Sequence, residues 1–406
     1  MPNPFVSALL LQSGYNAALV TIGATLLGIA AGSGGTFLFL RKRALVSDAV
    51  AHATLPGVGL AFMVMVALGG DGRNLVGLLL GSAISAGIGL LIVEWITYRT
   101  RLAEDAAIGA VLSVFFGFGI VLLTIIQTMS RGKQAGLESF LLGSTAGMLF
   151  QDAVVIAVGG ALAVATVILL RRPMTLVAFD AEFAAASGVP VRTIDLTMMG
   201  LVMAVTVIGL KLVGLILVVA MLIIPAVTAR FWTDRTDWLI GIAGLVGGVA
   251  GYMGAALSAS APHLPTGPVI VLVCFALFST SIFFSPNRGV LAAILRRRRF
   301  QVRVHRRQGL LSLAHGETIL DPLTLTVLRQ AGFIRRDGAP TETGLAQAAK
   351  VLRDERRWQV ARQIHHDEAV ASRYDGLTPI ETVLTEDEIA AIDDRIAGSA
   401  TAGGIR

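Results

Sequence analysis

The stretch GIAAGSGGTFLFLRKRALVSDAVAHATLPGVGLAF, Gly28–Phe62, holds two apolar runs separated by the basic triplet Arg41, Lys42 and Arg43. Extended to their limits at 16–40 and 44–69, the runs reach the length of about 20 residues that crosses a bilayer core. The stretch therefore reads as two membrane helices joined by a tight link, with the triplet on the cytoplasmic side, where basic residues gather. Asp48 and His52 interrupt the second run four residues apart. On a helix such residues share a face, so a carboxylate oxygen and an imidazole nitrogen converge. This mixed donor pair suits Mn²⁺, Zn²⁺ or Fe²⁺ better than Ca²⁺ or Cu⁺. Pro56 offers no N–H to the carbonyl of His52, and Gly57 lets the backbone bend there. The structural alternative pairs Asp48 with Arg41 or Arg43 and has His52 cap a neighbouring helix. Ionisable groups inside spans usually mark a pathway, which favours a metal path. Glu94, in the third span, and His263, in a later loop, are further candidate ligands.

Composition places these two helices in a larger membrane domain. Of 406 residues, 54% are hydrophobic and 15% charged, against roughly 25% charged in soluble chains; mean hydropathy is +0.74. Residues 1–287 carry 14 Lys/Arg and 12 Asp/Glu, whereas the last 119 carry 19 and 15. A membrane domain is thus followed by a soluble tail. The net charge of +6 does not signal nucleic-acid binding, because part of it is the juxtamembrane cluster Leu295–Arg307. Cys274, the only cysteine, excludes an intramolecular disulfide and a cysteine-based metal cluster. The N-terminus lacks a charged n-region and cleavage site, so the first apolar segment is expected to stay in the membrane.

Further apolar windows predict spans near 74–98, 106–130, 152–170, 192–210, 212–230, 238–258 and 266–284. The total is eight or nine, since Lys211 leaves almost no loop before the 212–230 segment. The short interval 138–150 reads as an interfacial or re-entrant helix. Basic residues at 41–43, at 171–172 and beyond Arg288 are expected in the cytosol, and SAPHLPTGP (Ser260–Pro268) outside. Nine spans then put the N-terminus outside and the C-terminus inside. The expected division is an N-terminal segment 1–15, a transmembrane domain 16–287, a basic linker 288–307, a cytosolic domain 308–397 and a disordered end 398–406. In the tail, Leu323–Ile364 reads as a helix, an RRDGAP turn and a long helix begun by Thr341 or Thr343.

Gly28–Phe62 resembles the membrane-spanning permease subunits of ABC transporters for manganese, zinc and iron, the ABC-3 family. The likeness recurs in order at Phe179–Pro190 (FDAEFAAASGVP), Leu210–Arg230, Leu264–Leu272 and Phe283–Gly289. It implies an all-α polytopic fold in a bacterial inner membrane. It also implies ATPase subunits, an extracellular or periplasmic metal-binding protein and a second permease subunit, identical or related. Asp48 and His52 occupy the family's Asp-x-x-x-His positions, which contact the transported metal. Phe179, Asp180, Glu182, Phe183 and Gly188 then belong to the coupling helix that docks into the ATPase. Pro225, within AMLIIPAVTAR, kinks a span and frees a carbonyl. No phosphate-binding loop is present, since RGKQ (Arg131–Gln134) lacks the flanking Gly and Ser/Thr. The chain is therefore expected not to be an enzyme, and to hold no tightly bound cofactor beyond its metal cargo. The rival readings are a permease for cobalamin or a metal chelate, and a stand-alone secondary transporter.

The tail resembles the winged helix and following helix of diphtheria-toxin-repressor-like metal regulators. Where those regulators place ligands, this chain has ERRWQ (Glu355–Gln359), so an intact regulatory site and DNA binding are not expected. His365, His366 and Glu368, in IHHDEA, are candidates for a weak metal site.

Overall fold

The structure is a computed structural model that describes residues 4–72, 74–128, 148–261, 264–364 and 376–402. It divides into two compact units, Met1–Ala292 and Ala293–Arg406.

The first unit is helical throughout its described residues. Short α1 (Pro4–Leu9) precedes α2 (Tyr15–Leu40), α3 (Ala44–Ala67), α4 (Leu75–Arg99), α5 (Glu104–Thr128) and α6 (Phe150–Phe179). Then come α7 (Ala181–Ala186), α8 (Val191–Val213), α9 (Leu215–Trp232), α10 (Thr236–Ala259) and α11 (Thr266–Phe284). Eight described helices are long and apolar enough to cross a membrane: α2 to α6, α8, α10 and α11. The segment expected at 212–230 is α9, a shorter apolar helix. The chain reverses between α8 and α9 at Gly214 alone, whose φ of 82° is open to glycine and costly for other residues. That single-residue turn is why no loop is visible in the sequence. Val218, Met221, Leu222, Ala226 and Ala229 are buried, so α9 is apolar on all sides because it lies inside the bundle.

Helix α2 is the hub, packing against α6, α8, α9 and α10. Its tightest partner is α10. A Cβ on Gly28 would lie 2.1 Å from the carbonyl oxygen of Gly247, and one on Gly32 2.2 Å from that of Ala243. Small residues one turn apart on both helices let the backbones touch, as membrane interfaces require. The outward faces of α4, α5 and α6 stay apolar and exposed, as at Ile84, Val114 and Leu169.

Helix α6 differs most from expectation. It continues nine residues beyond position 170, through Arg171, Arg172 and Pro173. Met174 and Val177 are fully buried and Arg171 pairs with Asp237 at 3.1 Å, so packing holds this segment helical. The 138–150 segment falls largely on residues 129–147, outside the described residues.

The second unit comprises most of α12 (Val290–His315), with α13 (Pro322–Gln330), α14 (Glu342–Ile364) and α15 (Glu386–Ala402). The expected 288–307 linker is thus helical from Val290, as its arginines favour. Thr341 begins α14, its hydroxyl accepting from the Gly344 N–H at 3.0 Å. One small core joins Leu310, Leu328, Phe333, Ile334 and Ala348; another joins Trp358, Ala361, Ile380, Leu384 and Ile392. Helix α15 extends as far as Ala402, into the 398–406 end, of which 403–406 lie outside the described residues.

Arg357 clamps α15 through both oxygens of Asp393, at 2.7 and 2.5 Å. That hydrogen bond holds the Asp393 carboxyl below its usual value of 3.8. A depressed carboxylate stabilises the fold above its unfolded pKa, and the contribution is lost as pH falls through the folded one. Hydrogen exchange of α15 in the full chain, corrected for intrinsic rates, should therefore accelerate below pH 3.8. Asp393→Asn should remove this pH step while costing about 1 kcal/mol at neutral pH, as for a pair whose carboxylate is open to solvent.

Candidate metal path

Helix α3 is buried on nearly every side. From Val46 to Gly59 every residue is buried except Asp48 and His52, which with Leu45 stand three and four residues apart as a short open stripe; Leu60 and Val64 are exposed further along, beyond buried Pro56. Asp48 Oδ1 lies 3.5 Å from His52 Nε2, with the side chains 44% and 19% exposed. The pair therefore opens outward from this subunit. Phe116 of α5 meets the imidazole edge to face, with centroids 4.9 Å apart. This aromatic wall fixes the ring beside the carboxylate, while His52 Nδ1 is buried without a hydrogen-bond partner among the described residues.

The structural alternative for the pair is not what forms. Arg41 binds Asp195 at 2.6 Å and the carbonyl of Val177 at 3.1 Å. Arg43 binds Glu104 at 2.7 Å and approaches Asp195 at 3.6 Å. Both guanidinium groups are engaged away from Asp48. Glu94 is also engaged, buried against Arg192 at 2.9 Å. Among the described residues no three His, Cys, Asp or Glu side chains gather as a metal site. Further donors to an ion held by the pair would come from carbonyls, water, another chain or residues outside those described.

Pro56 lies inside α3 and denies the His52 carbonyl its helical partner. Gly57 has a different role from the expected bend, since α3 continues unbroken through it. A Cβ there would lie 2.0 Å from the carbonyl oxygen of Gly81, so Gly57 admits close contact with α4. Pro225 sits within α9 and likewise leaves the Met221 carbonyl without its usual donor.

At one end of the bundle, Phe179 closes α6 and Asp180 caps α7, accepting from the Phe183 N–H at 2.8 Å. Glu182 stands in the first turn of α7, favourable near a helix N-terminus. Gly188 follows with φ 80°, reversing the chain towards α8. Phe179 and Phe183 are 65% and 59% exposed, which leaves two aromatic rings free for a protein contact. A groove of about 600 Å³ extends from Phe179 to the Asp234–Asp237 turn. His263, His365, His366 and Glu368 lie outside the described residues. Sequence reading missed Asp195 and its arginine partners. The signal was an isolated aspartate early in an otherwise apolar helix, VRTIDLTMM, which needs a buried partner.

A helical bundle with eight described helices long and apolar enough to cross a membrane defines a multi-pass membrane protein. The profile of the ABC 3 transport family matches residues 15–285, and the chain belongs to that family. Over 298 residues it is 42% identical to the manganese transport system membrane protein MntC of Bacillus subtilis (strain 168), covering 73% of this chain and 67% of that one. It is 39% identical to the zinc transport system membrane protein TroC of Treponema pallidum (strain Nichols), covering 71% and 95%. The solved structure of PsaBC from Streptococcus pneumoniae in complex with Fab aligns with a TM-score of 0.61 at 28% identity, covering 71% of this chain and 98% of that one.

Proposed function

We propose that the chain is the membrane-spanning permease subunit of an ABC importer for divalent transition metal ions, with Asp48 and His52 on the metal path. The observation that carries the path is the pair's position on the open stripe of α3, with its alternative partners engaged elsewhere. A carboxylate facing lipid there is costly, so the stripe belongs against protein or water. A second permease subunit covering it completes the shell, and its identity as a second copy or a related chain sets the remaining ligands. The manganese and zinc systems to which the chain is similar support a bare ion over cobalamin or a chelate; manganese, zinc and iron all suit this donor pair. The metal is cargo, delivered by an external metal-binding protein. ATP is hydrolysed on separate subunits, and this chain is not an enzyme.

In this reading the α7 end faces the cytosol of a bacterial inner membrane, as does the C-terminus. α7 and the rings of Phe179 and Phe183 form the dock for the ATPase. Phe183→Ala should cut ATPase co-purification by about tenfold or more, as losing a buried aromatic anchor does, with the permease still folded. In the tail, the Ile334–Pro340 bridge between α13 and α14 supports the winged-helix resemblance. His365, His366 and Glu368 are proposed as its weak metal site.

The test is radiolabelled Mn²⁺, Zn²⁺ and Fe²⁺ uptake into vesicles containing the assembled complex. Import that requires both ATP and the ATPase subunits supports the reading. Equal uptake by the purified chain alone, driven by an ion gradient, would replace it with a secondary transporter.

A further inference from the structure

Two of the three residues between α2 and α3, Arg41 and Arg43, are wired to the flanks of the docking loop. Arg41 donates to the carbonyl of Val177, four residues before α7, and to Asp195, nine residues after it. Arg43 approaches the same Asp195 oxygen, Oδ2, and binds Glu104 at the start of α5. A second pair, Arg192 with Glu94, ties the same end of α8 to α4. From Arg43 to Asp48 is five residues along α3, about 7 Å at 1.5 Å per residue.

We propose that Asp195 is a positioning residue that transmits movement of the α7 dock to the metal-bearing face of α3; this rests on the reading of α7 as the ATPase dock. Two observations support a switchable tie rather than plain packing. The Asp195 side chain is 9% exposed, so a carboxylate pulled from its arginines cannot simply hydrate and must carry them along or find others. Asp195 Oδ1 and Arg41 Nε are both buried without partners among the described residues. The network is thus satisfied on one side only, leaving donors and acceptors for a second arrangement. Between the two arginines, Lys42 takes φ 58° as the residue after the α2 C-cap, its N–H donating to the Phe39 carbonyl and that of Arg43 to the Leu38 carbonyl. The link is thus a capped corner rather than a slack loop, and α3 begins directly at its end.

The experiment uses the assembled complex in vesicles and measures ATP hydrolysed per Mn²⁺ ion imported, with Asp195→Asn and Asp195→Glu. Asp195→Asn should import about tenfold less Mn²⁺ while hydrolysis and ATPase co-purification stay within about twofold, a loss within the usual range of coupling between sites. Asp195→Glu, which keeps the charge, should restore the native ratio. An unchanged ratio in Asp195→Asn overturns the proposal, whether transport is native or both activities fall together. Failure of the dock itself reads differently: Phe183→Ala would then leave the ATPase bound.

Discussion

Asp48→Ala and His52→Ala should each lower metal import by about 100-fold or more, beyond the 10–100-fold typical of losing only an outer partner of a metal ligand. The complex should still assemble and bind its ATPase. The expectation follows from how few donors α3 offers. Asp48 and His52 are its ionisable pair on the open stripe, and the nearby acids Glu94, Glu104 and Asp195 are bound by arginines. Among the described residues, none of these three carboxylates stands free to substitute. Neither side chain should carry much of the fold, since Asp48 is 44% exposed and pairs with His52, and His52 adds one edge-to-face contact with Phe116. Import and stability should therefore separate. Uptake of radiolabelled Mn²⁺ and Zn²⁺, alongside detergent gel filtration, checks both halves.

Gly247→Leu should have the opposite pattern, with loss of the folded bundle itself. Its Cβ would stand 2.1 Å from the carbonyl oxygen of Gly28, and a leucine adds three more carbons into two touching backbones. Overpacking of this kind costs about 1–3 kcal/mol where side chains can yield; here the obstacle is main chain on both sides, so the cost lies at or above the top of that range. Helix α2 cannot retreat, because α6, α8 and α9 pack on its other faces. Detergent-solubilised yield and thermal unfolding should both fall sharply. Gly241→Leu, on the same helix with open space beside it, should be tolerated. Equal behaviour of the two variants would contradict the packing described.

The contrast explains which features can be read along a chain. Long apolar windows reveal spans because bilayer thickness sets their length, and the expected boundaries of α2, α3, α5 and α11 fall within a few residues of the observed ones. Asp48 and His52 were legible because helical periodicity alone puts them on one face. Local sequence does not show that Gly214 reverses the chain by itself, or that α6 stays helical through Pro173; both depend on packing from distant segments. The engagement of Glu94 was illegible for the same reason. Its arginine partner is 98 residues away, and nothing near Glu94 announces it. Asp195 and Arg41 are separated by 154 residues, so their pairing emerges only from the fold.

The most direct measurement is X-ray absorption at the zinc edge of the Zn²⁺-loaded complex, trapped without ATP, for the native chain and for His52→Ala. The account predicts light-atom coordination including imidazole scattering, with one imidazole's contribution missing in the variant. Identical spectra from two equally loaded samples would place the metal elsewhere and remove His52 from the path.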